Sequence, residues 1–155
     1  MVKMNIKDLL NPSCTSAQSD VSSTKTILDK LAHLLGEQCP SVGSDKILEE
    51  LVARERLGST AIGHGVAMPH AKLSSITSPM LAIVTTQNGI DFDAPDDELV
   101  DIFFGLILPD EDKGEHLQSL KCITELARQE EVRKSLRAAA DQQSLVDVAI
   151  TQSED

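Results

Sequence analysis

The chain has 155 residues, 41% apolar but only 2% aromatic, with 14 basic against 25 acidic side chains and a net charge of −11. A chain this long buries roughly 70% of its unfolded surface and needs no disulfide or metal to fold. Such acidity repels phosphate backbones, and the lack of stacking rings argues further against nucleic acid as a partner. The three cysteines are scattered without a C-x-x-C pair, the N-terminus has no apolar signal core, and no apolar run approaches the ~20 residues of a membrane helix. A cytoplasmic protein with free thiols and no membrane insertion is expected.

In chain order, residues 1–23 read as a short helical start followed by a loop, because NPSCTSAQSDVSS is dense in turn formers. A helix is predicted over 24–35, with Ile27, Leu28, Leu31, Leu34 and Leu35 on one stripe, His33 on the polar face and Gly36 as the stop. Ser44 is expected to cap a second helix, with Asp45 in its first turn. Its buried stripe is Ile47, Leu48, Leu51 and Val52; Arg54 and Arg56 fall in its last turn, and Gly58 ends it.

Strand signals follow. VAMP (66–69) is short and apolar, PMLAIV (79–84) is continuously apolar, and the pair NG at 88–89 predicts a hairpin turn before IDF. LVDIFFGLIL (99–108) is the longest apolar run, hence the central strand, with Pro109 ending it. Helical periodicity then returns over 113–128 (Leu117, Leu120, Ile123, Leu126), over 130–138 (Val132, Leu136), and after Asp141 as a cap for Leu145, Val146, Ala149 and Ile150. Helices before and after a block of strands predict an α/β fold: one domain over 1–155, a mixed β-sheet flanked by helices on both faces.

The chemistry concentrates in GSTAIGHGVAMPHAKL (58–73). His70 follows Pro69, whose fixed φ restricts the chain just before the imidazole, and it is expected at the end of the VAMP strand. A neutral imidazole is a competent nucleophile, and a bond from one ring nitrogen fixes the tautomer for the other. A phosphoryl group in transit needs cations and donors around its oxygens. Arg54 or Arg56, the hydroxyls of Ser59 and Thr60, and the backbone N–H groups freed by Gly58, Gly63 and Gly65 are of the right type. His116 shares a helical face with Leu120, Ile123 and Ala127 and stands near a helix N-terminus, where anions are favoured. No Walker pattern is present, so nucleotide binding is not indicated. His64 and His70 alone, with no third ligand at a recognised spacing, do not predict zinc, and no cofactor is expected. By themselves these residues fit equally well a surface turn, a solvated helix end and structural histidines.

The run RERLGSTAIGHGVAMPHAKL resembles the active-site segment of the enzyme IIA proteins of the fructose–mannitol class of the bacterial phosphotransferase system, most closely the nitrogen-regulatory branch. The resemblance continues through IDFDAPDDELVDIFFGLILP and EHLQSL and covers essentially the whole chain. It implies that His70 accepts a phosphoryl group from a small histidine-containing phosphocarrier protein, with Arg54 and His116 lining the phosphate site. Ser59, Thr60 and His64 are further candidates around it. It also implies a mixed α/β sandwich and a regulatory role, exercised through phosphorylation state on targets such as potassium transporters or sensor kinases. A sugar-specific IIA that passes phosphate to a fructose or mannitol permease is the alternative. One departure stands out: nitrogen-branch members often carry Asn where this chain has His64, which puts a second imidazole near the segment. No permease domain is expected, and the acids of IDFDAPDDE are expected to rim His70 and steer a basic carrier.

Overall fold

A computed structural model describes residues 5–111 and 115–153. The chain runs α1 (Ile6–Leu9), β1 (Leu10–Ser19), α2 (Thr24–Gln38), α3 (Ser44–Arg56), β2 (Ala61–Gly63), β3 (Val66–Ala67), β4 (His70–Leu73), β5 (Met80–Ile90), β6 (Val100–Pro109), α4 (Glu115–Ala127), α5 (Glu130–Ala138) and α6 (Gln142–Ser153). The strands form one mixed sheet in the order β1-β5-β6-β3-β2, with β4 paired to β6 farther along the edge that β3 occupies. The apolar run at 100–109 is the central strand, antiparallel to β5 on one side and parallel to β3 and β4 on the other.

Alternating side chains divide the core between two faces. On one face Ala71, Leu73, Ala82, Val84, Phe103 and Ile107 pack with the apolar stripes of α2 and α3. On the other, Val66, Leu81, Ile83, Ile102, Phe104, Leu106 and Leu108 pack with α1, α4, α5 and α6. Helices therefore cover both faces, as the element order predicts. Among the described residues no helix is long and apolar enough to cross a membrane.

Several local expectations fail, each for a tertiary reason. The predicted loop of the N-terminal segment is largely strand: residues 10–19 pair parallel with β5. Its turn formers are tolerated because β1 is an edge with two register breaks, where Pro12 costs no central ladder bond. Gly36 does not stop α2, which runs on to Gln38. It serves close approach instead, since a Cβ there would lie 2.3 Å from Ser44 Oγ and 2.8 Å from Ser44 N. Ser44 is the first helical residue of α3, and Gly43 (φ 86°) takes the N-cap position without a side-chain bond.

The pair Asn88–Gly89 lies inside β5 rather than in a turn, at a register shift between Thr85 and Ile90. Gly89 is there for room: its Cβ would meet Leu99 Cβ at 2.5 Å. The β5–β6 pair is still antiparallel, closed by the longer 91–99 connection, which Phe92 anchors edge-on to Phe103 (centroids 5.3 Å, 69°). Leu117 leaves the predicted α4 stripe and is 74% exposed. The expected start of that helix at 113–114 lies outside the described residues.

Candidate functional site

Strand β3 ends at Ala67, the chain leaves the ladder at Met68–Pro69, and it rejoins β6 as β4. His70 therefore opens β4 instead of closing a VAMP strand, since the Leu106 amide donates to the Pro69 carbonyl at 2.9 Å and brings the chain back into register. His70 pairs with Leu106, Ala71 with Ile107, Lys72 with Leu108 and Leu73 with Pro109. Paired residues of a parallel ladder share a face. Ala71 and Leu73 are buried against α2 and α3, so His70 and Lys72 stand on the α4 side, in the rows of Leu106 and Leu108.

The His70 ring is half-buried, and Nδ1 lies 2.8 Å from the Met68 carbonyl. That is its one side-chain hydrogen bond among the described residues. A carbonyl only accepts, so Nδ1 carries the proton and Nε2 keeps the lone pair. Helix α4 reaches the same neighbourhood, with Thr124 Oγ1 3.7 Å from Met68 Sδ.

His116, in the first turn of α4, is 7% exposed, and its Nε2 donates to the Pro109 carbonyl. Pro109 is three positions beyond Leu106 on β6, about 10 Å along the strand at 3.3 Å per residue. The structure thus places His116 on the His70 face, toward the Lys72 end of that row.

Arg54 comes from the other layer, since α3 packs on β4 from the Ala71–Leu73 face. Its Nη1 donates to the Gly58 carbonyl at 2.9 Å. It is one of several side chains that hold the loop between α3 and β2. Glu55, which sequence reading passed over, accepts the Thr60 amide at 2.8 Å and the Thr60 hydroxyl at 2.7 Å. Ser59 Oγ donates to the Phe92 carbonyl and accepts the Ala61 amide. Both hydroxyl protons offered for a phosphate are therefore engaged with protein acceptors.

His64 and Gly65 form the two-residue turn between β2 and β3, both at positive φ (59° and 78°), the type I′ pattern. The His64 amide donates to Asp96 at 2.9 Å, and its carbonyl accepts from Arg137 Nη2 at 2.7 Å. The backbone amides of His64 and then of Glu98, both donating to the Asp96 carboxylate, hold that carboxyl below the usual range. Arg137 also pairs with Asp101 through Nε at 3.0 Å. Val66 pairs with Ile102, four positions from Leu106, so His64 is more than about 13 Å along the sheet from His70. It is not part of the His70 row.

Of the acids of IDFDAPDDE, Asp91 and Asp93 line a cavity of ≈ 540 Å³ between α2 and the end of α3, and Asp96 and Glu98 belong with the His64 turn, so these four stand apart from that row. His70 lines no part of that cavity. A small anion delivered by another protein needs an accessible ring with donors, which a shallow surface provides.

Sequence reading also missed Lys72, an exposed cation two residues from His70 on the same face of β4. The period-2 alternation of HAKL carries that signal, but four residues are too few for alternation alone to mark a strand.

A family profile described as "Phosphoenolpyruvate-dependent sugar phosphotransferase system, EIIA 2" matches residues 8–151. A "Nitrogen regulatory protein" of Pseudomonas aeruginosa is 34% identical over 147 residues, covering 95% of this chain and 96% of its own length. A "PTS system fructose-specific EIIA component" of Haloferax volcanii is 35% identical over 104 residues, 67% of this chain and 68% of its own length. The crystal structure of the nitrogen regulatory protein IIA-Ntr from Neisseria meningitidis superposes with a TM-score of 0.86 at 30% identity, covering 93% of this chain and 98% of that one.

Proposed function

The chain belongs to the EIIA 2 family of the phosphoenolpyruvate-dependent sugar phosphotransferase system, and from that premise we propose that it is a phosphocarrier that holds a phosphoryl group on Nε2 of His70. The donor is a small histidine-containing phosphocarrier protein. The Nε2 lone pair attacks phosphorus, the donor's N–P bond breaks, and that electron pair returns to the donor imidazole. The His70 ring takes up positive charge, its proton staying on Nδ1 and donated to the Met68 carbonyl. No metal, water or further reactant enters the step.

The observation that carries this reading is the Nδ1 contact to Met68 at 2.8 Å, which leaves one nucleophilic nitrogen on a half-buried ring. His116 supports the phosphate from the start of α4 on the same face, and Arg54 acts from the other layer, through the loop whose Gly58 carbonyl it holds. Ser59 and Thr60 act through the loop they brace, and His64 through the turn it forms.

The phosphorylated and free forms differ by a dianion on the surface, enough to change which partners dock. We assign the protein a regulatory role in the cytoplasm, linked to nitrogen or potassium, with targets such as potassium transporters or sensor kinases. Its similarity over nearly full length to nitrogen regulatory proteins supports this. The fructose-specific relative favours the second reading, a IIA component that serves a fructose or mannitol permease. Deletion strains that lose uptake of those sugars would decide for the second.

Incubation with phosphoenolpyruvate, enzyme I and the carrier should give an acid-labile label on His70, lost in His70→Ala. A folded wild-type protein that takes no label would end the proposal.

A further inference from the structure

We propose that Lys72 is the cation that faces the phosphoryl group on His70 and sets how firmly that group is held. The inference rests on His70 being the phosphorylated residue. Three observations carry it.

First, His70 and Lys72 share the α4-side face of β4, in register with Leu106 and Leu108. Two residues along a strand are about 6.6 Å apart at the backbone. A lysine stem spans about that distance, so its ammonium reaches a group carried on the outward nitrogen of His70. Second, Lys72 is exposed and its side chain has no hydrogen bond or ion pair among the described residues. Three of the five arginines are tied elsewhere: Arg54 donates to Gly58, Arg133 to the carbonyls of Ala127 and Arg128, and Arg137 to Asp101 and His64, while Arg56 lines the cavity beside Asp91 and Asp93. Third, His116 is tied to Pro109, the next β6 residue after the one opposite Lys72. Lys72 thus stands between the two imidazoles along the strand, where a phosphoryl group arrives.

The chemistry follows from charge. The neutral ring has no need of a neighbouring cation, whereas the phosphoryl oxygens do. A charge-assisted bond from a mobile ammonium favours the phosphorylated state selectively and is weakened by salt. It also lowers the pH at which the phosphoryl group takes its last proton.

The test uses the full chain and the phosphorylated carrier as donor. For wild type, K72R, K72Q and K72E, the transfer equilibrium is measured at low and high ionic strength, and the phosphoryl titration is followed by phosphorus NMR. K72Q should lower the equilibrium constant about tenfold and raise the titration midpoint, K72E should do more, and K72R should stay near wild type. The gap should narrow in high salt. Because Lys72 is exposed, all variants should melt with wild type. A wild-type chain without label on His70 refutes the phosphocarrier reading itself. Label on His70 with the same equilibrium and midpoint in K72Q and K72E, or with K72R no better than K72Q, overturns the role of Lys72 and leaves that reading standing.

Discussion

His64 adopts a left-handed backbone because the β2–β3 turn leaves it no choice: the strands it joins require positive φ at both turn residues. Asn and His enter that region more readily than most residues, whereas a β-branched side chain is a genuine outlier there. Turn chemistry alone therefore accounts for a His at this position and admits an Asn equally well. His64→Asn should keep wild-type stability and labelling. His64→Val should lose about 1–2 kcal/mol, read from urea denaturation. At His70 a Gln variant keeps much of the shape without the nucleophile, so it should melt like wild type and take no label.

Gly36 shows how an element obeys its neighbour before its own propensity. In an isolated helix, Gly→Ala gains about 1 kcal/mol. In α2 the new methyl would meet the backbone N and Cα of Ser44, both at 2.8 Å, so α3 must move. Gly36→Ala should therefore lower the melting temperature, and a rise would show that α3 gives way freely. The same logic explains β5, where Gly89 admits Leu99 in the middle of a strand. It also explains β4, four residues that put Ala71 and Leu73 into the core on one face and return His70 and Lys72 to the ladder on the other.

At the scale of the molecule, stability should be bounded on both sides of neutrality. Asp96 and Asp141 accept backbone amides, from His64 and Ser144 respectively, and both carboxyls sit below the ordinary 3.8. Below that value the unfolded chain binds more protons than the folded one. The stability these groups confer is present above 3.8 and is lost as pH falls through their depressed values. On the alkaline side, burial first, then the nearby Cys39 and Glu37, pushes the Cys14 thiol from 9.0 to about 11. The folded state keeps that proton while the unfolded chain releases it, so this contribution is complete below 9 and fades between about 9 and about 11. Urea midpoints against pH should fall on both limbs. Asp96→Asn should flatten the acid limb and Cys14→Ala the alkaline one, whatever constant offset a cavity at 14 adds.

Periodicity alone reveals α2, α3, α5 and α6 and the central apolar strand, because a stripe of Leu and Ile must be buried wherever the helix lands. The P-H pair and the arginine before the glycines stand out by residue type, but by themselves they fit a turn and a solvated helix end equally well, and only the family resemblance gives them a role. Tertiary structure decided the rest. Residues 10–19 are strand because an edge beside β5 accepts turn formers, and Asn88–Gly89 is not a turn because Leu99 packs on it. The partners of His70 follow from register. Only the pairing of β4 with β6 puts Lys72 in its row and His64 four or more positions away, because facing and distance in a sheet are set by which strand lies alongside and at what offset, quantities that no stretch of residues carries alone.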